Sequence, residues 1–277
     1  MTKNKETFII NRKEDASIIG DIQFSELSSS PLVIFCHGYK GYKDWGAWNL
    51  VSDEFVKNDI SFCKFNFSLN GGTLDNPIDF PDLNAFGRNT YSTEIKDVLS
   101  VVEYVTDKFK DYFNSNKIIL IGHSRAGGIV LLSTNSKINK VISWAGVSDF
   151  SSRFPSKDRL IQWKKDNVIY ILNARTKQQM PHYYSFYEDF IENKDNLDIK
   201  KAVNNLQIPF LIIQGTEDEA VLEKEANELH SWSNNSELCL LDTNHTFGSS
   251  HPWKDAKLPS KLLEVVNFSI KFINKEH

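Results

Sequence analysis

Residues 117–132 read Lys-Ile-Ile-Leu-Ile-Gly-His-Ser-Arg-Ala-Gly-Gly-Ile-Val-Leu-Leu, and this stretch decides the fold. The apolar run 118–121 predicts a buried parallel strand, because both of its faces would need cover. A second apolar stretch, 129–132, follows with no loop composition between the two, which predicts a helix directly after the strand. So tight a turn pushes one side chain into solvent, and here that side chain is Ser124.

The small residues around Ser124 suit such a turn. Gly122 gives the backbone room to double back, and Ala126 with Gly127 lets the helix begin close to the strand. The helix N-terminus directs unpaired N–H groups at whatever binds to Ser124. The pattern resembles the nucleophile elbow of the α/β-hydrolase superfamily, although that motif has glycine two residues after the serine, where this chain has Ala126.

Strand and helix patterns alternate along most of the chain. Strands are predicted at 7–11, 18–24, 32–36, 60–67, 118–121, 141–145, 209–213 and 237–241, and helices at 48–57, 91–113, 223–232 and 258–274. A polar turn over 12–15 predicts that the first two strands form an antiparallel hairpin. The alternation implies an α/β fold with a mostly parallel central sheet and helices on both faces, and the resemblance implies the α/β-hydrolase fold.

Residues 150–205 interrupt this alternation. We expect them to form a cap or lid inserted between the serine and acid strands of a core made of residues 1–149 and 206–277. The segment is rich in aromatic residues, which would either wall a substrate pocket or form the small core that an insertion of this size needs. The candidates for substrate binding are Trp163, Tyr183, Tyr184, Phe186 and Tyr187.

A serine nucleophile needs a base within hydrogen-bond reach and a third group that orients the base. The superfamily places them in the order serine, acid, histidine. After the strand at 209–213, Asp218 lies where the resemblance implies the acid, with Asp149 as its competitor. After the last strand, His245 resembles the superfamily's catalytic histidine, with His251 as its competitor. Loops at the carboxyl ends of parallel strands meet at one sheet edge, where such folds bind ligands.

The resemblance also implies an oxyanion hole, which needs two backbone N–H donors. One would come from Arg125, the residue after the nucleophile, and the other from Tyr39 in a His-Gly element after the strand at 32–36. The Arg125 side chain would either pair with a buried carboxylate such as Asp149 or meet an anionic group of the substrate. We favour the first, since guanidinium–carboxylate pairs commonly fix loops.

The composition of the chain limits the classes of function that remain. A net charge of −4 and scattered lysines give no support for binding to nucleic acid or to an anionic membrane surface. Neither a membrane-spanning run nor a leader-like N-terminus is visible, and the cysteines, Cys36, Cys63 and Cys239, read as buried free thiols. We expect a cytoplasmic protein that uses no cofactor or metal and takes a small-molecule ester as its substrate. A homodimer is compatible with the sequence.

Elbow, acid, histidine and oxyanion element together resemble the dienelactone-hydrolase and cinnamoyl (feruloyl) esterase-like serine hydrolases. The resemblance implies a serine esterase that works through an acyl-enzyme on small to medium esters, which the aromatic segment would extend to aryl esters. Dienelactone hydrolases proper use cysteine where this chain has Ser124, so their substrate does not carry over. The alternatives are a peptidase or amidase with the same catalytic groups, or a binding protein on the same fold.

Overall fold

The computed structural model describes residues 5–12 and 17–276. Its strands are β1 (Lys5–Ile10), β2 (Ile18–Gln23), β3 (Leu32–Cys36), β4 (Ser61–Phe65), β5 (Ile118–His123), β6 (Ile138–Trp144), β7 (Val168–Leu172), β8 (Gln179–Tyr183), β9 (Phe210–Gly215) and β10 (Ser236–Leu241). Its α-helices are α1 (Trp48–Lys57), α2 (Leu83–Arg88), α3 (Tyr91–Lys108), α4 (Arg125–Leu132), α5 (Lys157–Asp166), α6 (Ser185–Glu192), α7 (Ile199–Asn204), α8 (Glu223–Trp232) and α9 (Ser260–Asn274).

Eight of the strands form one sheet in the order β1-β2-β4-β3-β5-β6-β9-β10. Strand β2 pairs antiparallel with β1 and β4, whereas the neighbours from β4 to β10 all pair in parallel. The mostly parallel sheet of an α/β-hydrolase fold is therefore confirmed, as is the pairing of the first two strands. The polar turn expected between them falls largely at residues 13–16, outside the described part of the chain.

Helices cover both faces of the sheet, and β5 shows why its sequence is apolar throughout. Ile118 and Leu120 pack into one hydrophobic cluster, together with residues of α3, α4 and α8. Ile119 and Ile121 point the other way, into a second cluster formed with α1 and α9. Alternate side chains of a strand face opposite sides, so a strand covered on both sides needs apolar residues at every position. This burial holds the carboxyl end of β5, and with it Ser124, in a fixed place.

The segment between β6 and β9 contains a short 3₁₀ helix (Ser151–Arg153), α5, the strands β7 and β8, α6 and α7. Strands β7 and β8 pair antiparallel in a separate two-stranded sheet. Helices α6 and α7 both pack against helices of the main sheet, α6 against α3 and α7 against α4 and α8. Ile199 and Val203 of α7 and Phe186 and Phe190 of α6 join the cluster that covers one face of that sheet. The division into a core and a cap at 150–205 remains a prediction.

Candidate active site

Ser124 occupies the turn between β5 and α4 with φ 60° and ψ −124°. This left-handed region is strained for a residue with a side chain, and such strain is typical of functional turns. The turn requires glycine at position 122, since a Cβ there would lie 2.1 Å from the carbonyl oxygen of Ala126. At position 127 a Cβ would lie 2.5 Å from the Cα of Gly146. Position 126 itself accepts a methyl group in the core, which explains why alanine is tolerated there.

Three side chains from three loops form a continuous hydrogen-bonded chain at the carboxyl edge of the sheet. The Ser124 hydroxyl lies 2.9 Å from Nε2 of His245, in the loop after β10. On the other side of the ring, Nδ1 of His245 lies 2.7 Å from Oδ2 of Asp218, in the loop after β9. With Nδ1–H donating to the carboxylate, Nε2 is left as the acceptor that faces the serine hydroxyl. The arrangement can take a proton from Ser124.

The Asp218 carboxylate is held as an anion by its surroundings. Its Oδ1 accepts hydrogen bonds from the backbone N–H groups of Ala220 and Val221, and its Oδ2 also accepts from Nε2 of Gln214. Burial raises the pKa of Asp218, but the hydrogen bonds from His245 and from this backbone outweigh it and leave the pKa lowered. Gln214 is fully buried at the end of β9. Sequence reasoning missed it, because nothing distinguishes a strand glutamine before its neighbours are known.

Asp149 and His251, the alternatives for the acid and for the catalytic histidine, form hydrogen bonds with other residues. Asp149 accepts hydrogen bonds from the backbone and hydroxyl of Ser151, within its own loop. His251 lies between Tyr42 and Gly46, with Nε2 2.7 Å from the Tyr42 hydroxyl and Nδ1 accepting from the Gly46 N–H at 2.9 Å. Neither residue contacts Ser124 or His245, so neither belongs to the hydrogen-bonded chain.

The loop after β3 brings the backbone of Tyr39 to the serine. A Cβ at Gly38 would lie 2.8 Å from Cβ of Ser124, so only glycine permits this close approach. Among the described residues, neither the Tyr39 nor the Arg125 backbone N–H donates to a protein acceptor. An oxyanion hole requires two free N–H donors near the nucleophile, and these donors belong to the residue after Ser124 and to the residue after Gly38.

Two buried histidines fix these loops. His37 accepts from the backbone N–H of Phe67 with Nε2, so its Nδ1–H donates to the Gly38 carbonyl at 2.9 Å. Nε2 of His123 lies 3.0 Å from the His245 carbonyl. Burial lowers the pKa of His37 to about 4 and, with the charge of His245, that of His123 to about 3. Both rings are therefore neutral and serve as hydrogen-bonding supports.

The Arg125 side chain pairs with a carboxylate other than the expected one. Its Nη1 lies 3.2 Å from Oε1 of Glu94 on α3, and its guanidinium lies 4.3 Å from the ring centre of Tyr39. The expected pair with Asp149 is wrong, because that carboxylate is turned into its own loop. Glu94 was not identified from the sequence because it lies inside a helix pattern, where a glutamate is ordinarily solvated.

A cavity of about 640 Å³ opens over Ser124 and His245. Of the five aromatic residues predicted to bind substrate, Trp163 and Phe186 line it. The cavity has further aromatic walls that the sequence did not identify, among them Tyr91, Phe150 and Phe154. Tyr91 belongs to α3 and stacks on Phe150 with ring centres 3.8 Å apart, so α3 and residues 150–205 build this wall together.

The other three predicted aromatics do not line the cavity. Tyr184 and Tyr187 pack against Trp163, with ring centres 5.8 and 6.5 Å away. The Tyr183 ring lies against Gly87, where a Cβ would come within 2.9 Å of it. The structure thus places these three rings away from the cavity, because an aromatic-rich segment needs some of its rings for its own packing.

The described residues contain no group of histidine, cysteine or acidic side chains arranged to bind a metal ion. In the same part of the chain, every helix is too short or too polar to span a membrane. All three cysteines are free, with Cys36 and Cys63 buried and Cys239 partly exposed.

Comparison with known protein families shows to which family this chain belongs. The BD-FAE family model matches residues 22–233. The chain belongs to the BD-FAE family. BD-FAE stands for bifunctional feruloyl/acetyl esterase, and the family consists of carboxylic ester hydrolases. None of the curated proteins matches the chain.

Solved structures share the fold of this BD-FAE protein. Est1E from Butyrivibrio proteoclasticus with ferulic acid bound is 16% identical, with a TM-score of 0.70 over 97% of this chain and 100% of that one. A putative hydrolase from Agrobacterium vitis S4 is 18% identical, with a TM-score of 0.72 over 98% and 99%. A dienelactone hydrolase from Anabaena variabilis is 12% identical, with a TM-score of 0.62 over 97% and 96%. At these identities the likeness concerns the fold.

Proposed function

We propose that this BD-FAE esterase cleaves carboxylic esters through a covalent acyl-enzyme formed on Ser124. The Ser124 oxygen would attack the ester carbonyl carbon while Nε2 of His245 takes the hydroxyl proton. Asp218 would hold the tautomer in which Nδ1 carries a proton and would stabilise the imidazolium. His245 then returns the proton to the leaving alkoxide, which departs as the alcohol.

The second half of the reaction repeats these steps with water. A water molecule gives a proton to His245 and attacks the acyl carbon, and the carboxylic acid leaves as the Ser124 oxygen recovers a proton. In both halves the carbonyl oxygen becomes negatively charged, and the N–H groups of Tyr39 and Arg125 would stabilise it. A donor of this kind typically contributes about 100-fold to 1000-fold in kcat.

One observation carries the proposal: the hydrogen-bonded chain from Asp218 through His245 to Ser124, with distances of 2.7 and 2.9 Å, opens into the cavity. A histidine with a purely structural role has no reason to direct an accepting nitrogen at a serine in a strained turn. The unpaired N–H groups of Tyr39 and Arg125 add to the case for catalysis.

We also propose that the acid part of the ester is aromatic or of medium length. The cavity volume lies within the range of pockets that enclose small molecules, about 300–1,000 Å³. Residues 150–205 supply Phe150, Phe154, Trp163 and Phe186 to its walls, which supports a substrate-selecting role for this segment as a cap. The ferulic acid in the similar Est1E structure is an acid of this type.

The test combines covalent labelling with turnover. A fluorophosphonate should label the wild-type protein at Ser124, and aryl acetates and feruloyl esters should be hydrolysed. Ser124→Ala should lose labelling and hydrolysis while its melting temperature stays near that of the wild type, because the change removes one oxygen atom. Ester hydrolysis by the alanine variant at a comparable rate would disprove the assignment. Faster cleavage of amides than of matched esters would instead indicate a peptidase or amidase.

A further inference from the structure

The charged residues around the cavity are all of one sign. Its described lining includes Lys40, Arg125, Arg153 and Arg159 but no aspartate or glutamate. The whole chain carries a net charge of −4, so the positive lining is not a general property of this protein. A cleft lined by charges of one sign concentrates ligands of the opposite sign.

Two of these positive charges are paired with carboxylates that do not line the cavity. Arg125 pairs with Glu94, and Arg153 forms an ion pair with Glu225. Lys40 and Arg159 have no carboxylate partner among the described residues. The cavity therefore faces two positive charges that the surrounding protein does not neutralise.

Arg125 also keeps donors free. A guanidinium has five N–H donors, and Arg125 uses one of them on Glu94 at 3.2 Å. Its side chain is only 15% exposed, and the remaining donors find no acceptor among the described residues. Donors withdrawn from bulk water without a partner are costly, and a ligand that brings oxygen acceptors removes that cost.

The position of Lys40 also supports an anion-binding role for this wall of the cavity. It is half-buried, and burial together with the charge of Arg125 lowers its pKa. Its ammonium group lies 5.1 Å from the ring centre of Tyr39, and the Arg125 guanidinium also lies against that ring. Both cations lie against the same Tyr39 ring, so an anion at this wall of the cavity would be attracted by both.

We propose that the ester substrate carries an ionised carboxylate in addition to its scissile ester, and that Arg125, Lys40 and Arg159 bind this carboxylate. The inference rests on the proposed esterase function and narrows its substrate class. Aromatic walls and a cationic lining together fit an apolar or aryl body that ends in a carboxylate. Half-esters of dicarboxylic acids and acyl esters of hydroxy-carboxylic acids both have this chemistry.

The test uses matched pairs of esters that differ only in charge. The first pair is the mono-p-nitrophenyl ester of glutaric acid and its methyl-capped neutral form, with the carboxylate on the acid side. The second is 4-acetoxybenzoate and its methyl ester, with the carboxylate on the alcohol side. In at least one pair, kcat/KM for the charged ester should exceed that for the neutral ester by about tenfold or more. The favoured pair identifies the side that carries the charge.

The preference must depend on the two unneutralised cations. Lys40→Met and Arg159→Met should each lower the ratio of kcat/KM for the charged ester to kcat/KM for the neutral ester about tenfold. Lys177→Met is the control for Lys40, since Lys177 is also a lysine with positive φ but lies outside the cavity. Lys157→Met, on the same helix as Arg159 and outside the cavity, is the second control. Both controls should keep the wild-type preference.

The outcomes separate this inference from the function on which it rests. Fluorophosphonate labelling and neutral-ester turnover with no charge preference in either pair would overturn the carboxylate proposal and leave the esterase intact. A preference that survives in both Lys40→Met and Arg159→Met would also overturn it. Absence of labelling and of all ester hydrolysis would overturn both proposals. Added salt should weaken the preference by screening these charges.

Discussion

Asp218 and Asp149 are both aspartates in loops after sheet strands, yet single substitutions at them should have different effects. Asp218→Asn removes the acceptor that fixes the His245 tautomer, so we expect kcat to fall about 1,000-fold to 10,000-fold. Asp149→Asn weakens hydrogen bonds to Ser151 and should lower the free energy of unfolding by about 1 kcal/mol, with kcat little changed. Ester turnover and urea unfolding of both variants measure this. The opposite pattern would assign the acid role to Asp149.

The sequence was sufficient to predict that Ser124, Asp218 and His245 meet, because each follows an apolar strand and parallel strands end at the same edge of the sheet. It was not sufficient for Gln214 or Glu94. These residues act through contacts with loops that are far away in the chain, and no local pattern carries that information. For the same reason the expected partner of Arg125 was wrong, although the expectation of a buried carboxylate was correct.

Within residues 150–205, Phe154 and Tyr187 contact each other but differ in whether they face the cavity. Their rings are 5.1 Å apart, but only Phe154 lines the cavity. Phe154→Ala should therefore lower kcat/KM for aryl and bulky esters about tenfold or more relative to acetyl esters, because the lost wall area binds only large acids. Tyr187→Ala is the matched control and should affect all esters equally. If Phe154→Ala instead lowered kcat/KM equally for bulky and acetyl esters, as expected for Tyr187→Ala, then Phe154 would only hold the segment together.

Elements with regular periodicity were predicted closely, and irregular ones were not. The bounds of α1 and α8 agree with the predicted ranges, since their buried residues recur at helical spacing on one face of each helix. Helix α3 ends at Lys108, before the predicted residue 113, and its N-cap is Thr90, one residue before the helix. The hairpin of β7 and β8 was not predicted, because an apolar run of five residues does not distinguish a strand from a helix.

For the whole molecule, buried neutral histidines should make stability sensitive to mild acid. Burial, and then nearby charges, lower the pKa of His37 to about 4 and that of His123 and His182 to about 3, from an ordinary 6.5. Below pH 6.5 the unfolded chain takes up protons that the folded protein excludes. Stability is therefore complete above pH 6.5 and is lost as the pH falls towards 4.

Substitution of one of these rings tests the explanation. In His182→Gln the slope of unfolding free energy against pH, measured between pH 6.5 and 4, should decrease by about 1.4 kcal/mol per pH unit, the equivalent of one proton. His230→Gln, at an exposed position on α8, is the control. A slope that is the same in His182→Gln as in the wild type would contradict the assignment of a neutral buried ring.

The order of the strands along the chain determines when each catalytic group is synthesised. Ser124 follows β5, in the middle of the sheet. The loops of Asp218 and His245 follow β9 and β10, the last two strands that the structure describes, which lie together at one side of the sheet. During synthesis the amino-terminal part of a chain emerges and begins to fold first. The nascent protein thus holds its nucleophile long before its base, and under the proposed roles it stays inert on the ribosome until the final strands dock.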